Sequence, residues 1–185
     1  HHAPGCRLAN LVSTMSLIGG HCNMTNLDAG VLNYLVSTFG IESMIDVGCG
    51  PGMMIYLARK AGLQAYGVDG DPTVHPDVLH NFDHGPLVVE LADLAWSVEF
   101  LEHVDECFLD NVFSVLEKCR YVFCTANPKP GPWHSNCQPI RYWKQVFHDR
   151  GFWFDTAATT FIRRVSTMER DFVRDTGMFF WNTKR

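Results

Sequence analysis

The stretch that decides the fold is MIDVGCGPGM, residues 44–53, where a short apolar run contains an acid near its end and three glycines follow within five residues. Glycine is costly in regular structure, so a run this dense indicates a backbone path that other residues cannot take. A continuously apolar run is typical of a strand buried on both faces. Residues 53–62, MMIYLARKAG, then have the pattern of a helix that stops at Gly62. The stretch predicts a buried strand, a glycine loop and a helix in immediate succession.

The flanking segments extend this alternation. Residues 26–40 carry apolar side chains at helical spacing, with Asn26 or Asp28 as the cap and Gly40 as the stop. Residues 64–71, QAYGVDGD, have the pattern of a second buried strand that ends in acids. The order helix, strand, glycine loop, helix, strand is the beginning of a parallel α/β sheet.

The rest of the chain continues the alternation, and 185 residues suffice for one domain with a single buried core. The segment 127–137 holds three prolines and a glycine, which predicts a loop, and Pro139 suits the first turn of the helix after it. We expect further strands within 78–82, 91–100, 120–126, 152–157 and 178–182, and further helices over 101–118 and 138–151.

Two strand ends carry the features of a nucleoside-cofactor site. Asp46 lies at the end of the first strand, Gly48, Gly50 and Gly52 follow it, and Asp69 ends the next strand, 19 residues after Gly50. The carboxyl ends of parallel strands meet at the edge where α/β folds bind ligands, so we expect the loop N–H groups to face that edge. An acid about 20 residues after the glycines can accept hydrogen bonds from both ribose hydroxyls. This combination favours a nucleoside cofactor over a merely structural turn.

Three segments resemble the motifs of one enzyme family. IDVGCGPG (45–52) and YGVDGD (66–71) are similar to the first two motifs of the class I S-adenosylmethionine (SAM)-dependent methyltransferases, and DLAWSVEFLEHV (93–104) resembles their fourth-strand motif. The resemblance covers nearly the whole chain. It implies a small single-domain enzyme with a Rossmann-like, seven-stranded, mostly parallel sheet, helices on both faces and an antiparallel last strand. It also implies SAM as the cofactor and S-adenosylhomocysteine (SAH) as the product.

The resemblance assigns the methionine side of the cofactor to the first strand end. Gly48, Cys49 and Gly50 would line its methionine and ribose parts, Gly52 would complete the loop, and Asp46 would lie near its amino group. The end of the fourth strand should border the same part of the cofactor, through Ser97, Val98 and Glu99. For Ser97 and Val98 the alternative is plain strand packing.

The resemblance assigns the adenosine side to the next two strand ends. Asp69 would bind the ribose and Gly70 would lie beside the adenine. The family often has an acid after the third strand, where this chain has Asn81, Phe82 and Asp83. Asn81 can accept a hydrogen bond through its side-chain oxygen, and Phe82 can pack on the purine. Whether Asn81 or Asp83 faces the adenine stays open.

Residues that could act on the methyl acceptor follow the fourth and fifth strands. Glu102 and His103 come from EFLEHV, and His134 lies in the proline-rich loop after the fifth strand. An oxygen or nitrogen acceptor can require a general base, and these three side chains are the candidates for it. The alternative for the glutamate and His103 is that they only cap and solvate a helix. Aromatic residues of the same region, Trp133, Tyr142 and Trp143, could form a stacking wall for a sugar or base.

The favoured acceptor is an oxygen or nitrogen atom of a small molecule or saccharide. One alternative is an RNA methyltransferase of the viral cap type, supported by a basic C-terminal third that includes Arg163, Arg164, Arg170 and Arg174. Against it, neither an N/D-P-P-Y/F motif nor a K-D-K-E tetrad can be assembled. The other alternative is a non-catalytic, cofactor-binding partner subunit.

The charge of the chain is unevenly distributed around a net value of −5. Residues 1–117 hold three Lys/Arg against fifteen Asp/Glu, whereas residues 118–185 hold twelve against five. This asymmetry indicates either a face for an anionic partner or two halves that interleave in space and cancel.

The cysteines and histidines argue for a cytoplasmic protein without a metal site. Seven cysteines, an odd count with no CxxC pair, are typical of reduced thiols. His75, His80 and His84 are interpreted as part of a solvated connection. No apolar run reaches the about 20 residues that span a bilayer, so we expect no membrane partner.

The N-terminal segment 1–25 is predicted to be separate from the domain over 26–185. Its polar stretch 19–26, GGHCNMTN, is either a lid that orders on cofactor binding or a disordered leader. His1 and His2 are excluded from functional reasoning as a candidate tag remnant.

Overall fold

A computed structural model of the protein describes residues 24–185, and in this part of the chain seven strands form one sheet. The histidine pair at the start and most of the candidate lid over 1–25 lie outside the described residues. The strands are β1 (Ser43–Val47), β2 (Gln64–Asp69), β3 (Val78–Leu79), β4 (Ala92–Ser97), β5 (Cys119–Cys124), β6 (Phe152–Phe154) and β7 (Met178–Asn182). The helices are α1 (Ala29–Phe39), α2 (Met53–Lys60), α3 (Leu109–Leu116), α4 (Ile140–Asp149), α5 (Thr156–Val165) and α6 (Phe172–Thr176).

The strand order is β3-β2-β1-β4-β5-β7-β6, and β7 runs antiparallel to both of its neighbours while the other pairs are parallel. The predicted fold class is confirmed. Because β1, β2, β4 and β5 are adjacent and parallel, their carboxyl ends meet at one edge. The segments predicted to carry the site leave the sheet at this edge.

Two apolar layers cover the sheet, one on each face. Neighbouring strand residues alternate between them, so that Ile45 belongs to the layer with α3 and α4 while Met44 belongs to the layer with α1, α2 and α5. Side chains of α1 follow the predicted pattern. Asp28 caps this helix by accepting from Val31 N at 3.0 Å, and Gly40 ends it in the left-handed conformation.

The predicted continuous helix over 101–118 is wrong, and the difference shapes the site. Two short 3₁₀ turns, Leu101–His103 and Glu106–Phe108, precede α3. The carbonyl of Glu102 accepts from Ser135 N and Asn136 N, both at 2.9 Å. The Glu102 carbonyl therefore accepts hydrogen bonds from the loop after β5. In a continuous helix it would accept from the N–H of residue 106 instead.

Other differences are smaller. Pro139 precedes α4 as its cap residue, with an extended backbone, instead of lying in the first turn. Helices α5 and α6 fill the connection between β6 and β7, for which the sequence pattern predicted no helix.

The uneven charge is resolved by interleaving of the two halves. Arg120 lies 3.8 Å from Asp93, and Arg150 donates to Asp110 at 2.6 Å. Both ion pairs join the basic C-terminal third to the acidic remainder, which supports the interpretation that the halves cancel in space.

The cysteines only partly follow the prediction of reduced thiols. Among the cysteines of residues 24–185, four are free: Cys49, Cys119, Cys124 and Cys137. Cys107 is disulfide-bonded, so the prediction is wrong at this position. None of the helices within 24–185 combines the length and the apolar character needed to cross a membrane.

Candidate functional site

The first amides of the glycine loop are bound within the protein, contrary to the expectation that they face a ligand. Gly48 N and Cys49 N both donate to Val68 O, at 2.9 and 3.2 Å. Gly50 N donates to Asp69 Oδ2 at 2.8 Å. These bonds attach the loop to β2 and fix the distance between the two strand ends.

The amides at the start of α2 are also engaged. Gly52 N donates to Cys49 O at 3.1 Å, and Met53 N donates to Thr25 Oγ1 at 3.3 Å. Since Pro51 has no N–H group, no amide from residue 48 to 53 remains free among the described residues. The loop can therefore contribute shape and bare Cα atoms to a ligand site, but few donors.

Gly48 is required by close packing as well as by its backbone angle. Its φ is +78°, and a Cβ built there would lie 2.3 Å from a ring carbon of Phe100. This distance is far inside van der Waals contact, so only glycine fits. The Phe100 ring, which follows β4, is thereby packed directly on the glycine loop.

Two carboxyl groups meet at this edge in different environments. Asp69 accepts from Gly50 N through Oδ2 and from Asp71 N through Oδ1, at 2.8 and 2.9 Å. Each oxygen has a second lone pair with which it can accept from ribose hydroxyls. Asp46 is 3% exposed, and its burial, followed by the charge of Asp69, raises its pKa to about 8. A cation placed near Asp46 would favour release of its proton.

The residues after β3 that were predicted to contact the adenine have structural roles instead. Asn81 Oδ1 accepts from Asp83 N at 2.9 Å and caps a 3₁₀ turn, which explains this side chain without a ligand. Phe82 is 4% exposed and packs edge-on against Phe100, with ring centroids 6.0 Å apart. This leaves almost no ring surface for a purine, contrary to the expectation. At Gly70 a Cβ would make only ordinary contacts, so packing does not require glycine there.

Several side chains assigned to the methionine end point into the protein. Ser97 is fully buried, and its Oγ donates to Val47 O at 3.1 Å, which joins β4 to β1. Val98 packs against the layer of α1 and α2. Cys49 is 3% exposed, and burial raises the pKa of its thiol strongly, so that it stays neutral. The packing alternative therefore accounts for these side chains.

Glu99 is held in a strained conformation at the end of β4. Its φ is +53°, which is uncommon for a residue other than glycine and is often found at functional sites. Thr125 Oγ1 donates to Glu99 Oε1 at 2.9 Å and accepts from Glu99 N at 2.8 Å. Asn127 Nδ2 donates to Glu99 Oε2 at 3.3 Å. The end of β5 thus fixes the carboxylate at the end of β4.

Glu102 is a fully buried acid. Within the described residues its carboxyl oxygens make no hydrogen bond of ordinary geometry, but the Glu99 carboxyl and the Asn127 backbone lie near enough to interact with them. Burial, followed by the charge of Glu99, raises its pKa. A carboxyl buried beside a second carboxyl costs free energy, and such a pair in a folded protein calls for a functional explanation.

Two histidines approach this carboxyl from different loops. His103 Nδ1 lies 3.1 Å from Trp133 O, and His134 Nδ1 lies 2.8 Å from Lys129 O. A carbonyl oxygen only accepts, so each Nδ1 carries a hydrogen, and in the neutral form of either ring Nε2 is the nitrogen with a free lone pair. Burial lowers the pKa of His103 and keeps this ring neutral. The two rings are 4.7 Å apart between centroids.

Glu102, His103 and His134 together form an arrangement suited to a metal ion. Their ligand atoms all lie within 4.8 Å of one another. Metal-binding histidines usually donate their other ring N–H to a carbonyl or carboxylate, as both rings do here. The sequence pattern predicts no metal site, whereas the spacing of these three ligand atoms fits a divalent cation. Within residues 24–185, the three histidines at 75, 80 and 84 form no such group.

The aromatic wall is only partly present. Trp133 is 63% exposed, with a φ of +64°, whereas Trp143 is fully buried in the core. Tyr142 is half-buried, and its hydroxyl donates to Glu106 at 2.9 Å. Trp133 alone offers an open ring beside His134.

Sequence reasoning missed the residues that support the cluster. Thr125 and Asn127 come just after β5, at the edge where β4 also ends. Their position after this strand could have identified them as site residues from the sequence. Asn136 is 3% exposed, its Nδ2 lacks a partner within the described residues, and its N–H holds the Glu102 carbonyl.

Comparisons with known proteins identify the fold. No family model and no curated protein sequence matches the chain. The methyltransferase domain of bacterial CtHen1 aligns with a TM-score of 0.58 at 18% identity, covering 82% of this chain and 94% of that one. The magnesium protoporphyrin IX methyltransferase ChlM from Synechocystis PCC 6803, with bound SAH, aligns with a TM-score of 0.54 at 17% identity, covering 81% and 78%. The chain has the Rossmann-like fold of the class I SAM-dependent methyltransferases.

Proposed function

We propose that this protein is a SAM-dependent methyltransferase that acts on an oxygen or nitrogen atom of a small molecule or saccharide. The observation that carries the proposal is the position of the Glu102–His103–His134 cluster. It lies at the carboxyl edge of a methyltransferase-type sheet, next to the strand ends that carry Asp46 and Asp69. Cofactor and acceptor groups would then meet at one edge.

The fixed strand ends support the cofactor half of the proposal. Asp69, oriented by two backbone N–H groups, would accept from the ribose hydroxyls. The loop at Gly48 and Gly50 would lie against the cofactor without intervening side chains. Asp46 would face its amino group.

The transfer itself is an in-line displacement. The acceptor atom attacks the methyl carbon, the bond from that carbon to sulfur breaks, and the sulfonium leaves as the neutral thioether of SAH. Because the leaving group is already activated, positioning supplies much of the catalysis. The proton of the acceptor passes to solvent or to a neighbouring base.

The cluster favours an acceptor that carries hydroxyl groups. A divalent cation bound there would lower the pKa of a ligated hydroxyl and orient it. Glu102, His103 and His134 would hold this cation, and the open side of the site would leave positions for acceptor oxygens. The same side chains, without a metal, remain the general-base candidates.

Two of the four arginines that support the RNA alternative are engaged within the protein, whereas Arg164 and Arg170 are exposed. Arg163 Nε donates to Gly177 O at 2.9 Å, and Arg174 donates to Asp171 and to carbonyls of the same segment. These two side chains hold the connection before β7 together. The non-catalytic alternative is disfavoured by the buried pair of acids Glu99 and Glu102, which a purely structural subunit would not need.

Calorimetry and a transfer assay test the proposed function. We expect SAH to bind with measurable heat, and NADH and ATP not to bind. Tritium from methyl-labelled SAM should enter a saccharide pool in the presence of Mn²⁺, and much less an RNA or protein pool. Binding of NADH instead of SAH would overturn the cofactor assignment. Binding of SAH without transfer to any pool would favour the non-catalytic alternative.

Cofactor binding should release protons at neutral pH. With a pKa of about 8, Asp46 is mostly protonated at pH 7, and the cofactor's cationic amino group would expel this proton. The bound state therefore holds fewer protons, so affinity should rise with pH up to about 8, by at most about tenfold per unit. Calorimetry in buffers of different ionisation enthalpy measures the release. The buffer dependence should vanish in Asp46→Asn, and its absence from the parent protein would contradict the assignment.

A further inference from the structure

A cavity of about 510 Å³ lies beside the cluster, between the loop after β5 and helix α6. Glu99 and Lys129 line it, and both belong to the surroundings of the cluster: Glu99 acts on the pKa of Glu102, and the Lys129 carbonyl accepts from His134. The volume is in the range of small-molecule sites. Glu102, His103 and His134 do not line the cavity themselves, so Glu99 and Lys129 are the residues that it shares with the surroundings of the cluster.

Six of the ten residues that line the cavity are polar. They are three acids, Glu99, Asp171 and Asp175, together with Asn127, Lys129 and Thr176. Asp171 also accepts from Arg174 at 2.6 Å. This arginine and Arg163, on whose pKa the charge of Asp175 acts, do not line the cavity and bind backbone carbonyls instead. Three of the four charged residues that line the cavity are acids.

The other four lining residues are apolar: Phe172, Ile140, Pro128 and Pro139. An aromatic ring such as that of Phe172, near carboxylates, suits a cyclic molecule with one apolar face and hydroxyl groups around its edge. The carboxylates would accept from hydroxyl donors, and they would repel a phosphate group.

We infer that this cavity binds the acceptor, and that the acceptor is a non-phosphorylated saccharide whose reacting hydroxyl reaches the cluster. This rests on the proposed function and identifies the substrate class of the same site. Asp175 would accept hydrogen bonds from the sugar, and Phe172 would contact its ring.

Saturation-transfer NMR on the SAH-loaded protein with Zn²⁺ tests the inference. The probes are glucose, glucosamine, glucose 6-phosphate and a short oligoribonucleotide. We expect the two unphosphorylated sugars to bind at least about threefold more tightly than the phosphate. Asp175→Asn should weaken sugar binding by about tenfold, because a charged acceptor is lost. Phe172→Leu, an independent variant, should weaken it by about two- to tenfold.

The control is Asp149→Asn, which removes an exposed carboxylate at the end of α4, outside the cavity. It should leave every affinity unchanged. The inference is overturned if no sugar binds, if the phosphate or the oligonucleotide binds as tightly, or if both cavity variants behave like the control. Because SAH binding is measured separately, such a result leaves the methyltransferase proposal standing.

Discussion

Replacing Glu102 by glutamine should lower methyl transfer by at least about 100-fold and leave SAH affinity within about twofold of the parent value. The neutral amide is a poor metal ligand. Mutation of residues that only hydrogen-bond to metal ligands already lowers metal affinity or activity by about 10–100-fold. Glutamine has the shape of the protonated carboxyl, so the fold should tolerate it. Mn²⁺ titration by electron paramagnetic resonance, alongside the tritium assay, measures both effects.

The matched control is Glu106→Gln, which makes the same change four residues further on, where the carboxylate contacts the Tyr142 hydroxyl. Its Mn²⁺ affinity and transfer rate should equal those of the parent. If chelation with EDTA leaves transfer unchanged and Glu102→Gln stays active, the metal proposal is wrong. If EDTA has no effect but Glu102→Gln is inactive, the glutamate acts through a proton instead.

Replacing Gly48 by alanine should lower the free energy of unfolding by about 2–4 kcal/mol, the sum of a positive-φ cost and an overpacking cost. The new Cβ would collide with the Phe100 ring, which must move away from the glycine loop. For a chain of this size the melting temperature should fall by roughly 5–15 °C. SAH affinity should fall as well, since the loop is the proposed floor of the cofactor site. Urea denaturation and calorimetry provide the two readings.

Gly62→Ala separates the two costs. Gly62 has a φ of +90°, yet a Cβ there meets nothing within 4 Å. This variant should lose only about 1–2 kcal/mol and keep its SAH affinity. Equal losses of unfolding free energy in Gly48→Ala and Gly62→Ala would show that the contact with Phe100 is unimportant. Combining Gly48→Ala with Phe100→Ala should recover part of the steric cost.

The positions of most strands and helices could be predicted because their signals are local. The run before Gly48 is apolar on both sides, and such a strand can only be central in a sheet with two covered faces. The prediction of one continuous helix over 101–118 is wrong for a non-local reason. Its apolar spacing favours a helix, but the Glu102 carbonyl is bound by amides from 135 and 136, more than thirty residues away.

The candidate site was predicted as separate parts. Glu102 and His103 were one candidate group and His134 another, because the sequence cannot show how far two loops lie from each other. The pairing of β4 with β5, in which Ser97 lies opposite Cys124, starts both loops at neighbouring points. The cluster depends on that register.

The sequence by itself determined the class of fold, the strand ends that carry Asp46 and Asp69, and the need for glycine between them, since these follow from hydrophobic pattern and backbone freedom. Only the tertiary structure decided which groups are available to a ligand. The Val68 carbonyl and the Asp69 carboxylate accept from the first loop amides, and the fold buries the Glu102 carboxyl beside that of Glu99. Availability depends on what each polar group meets across the sheet edge, and no local pattern contains that information.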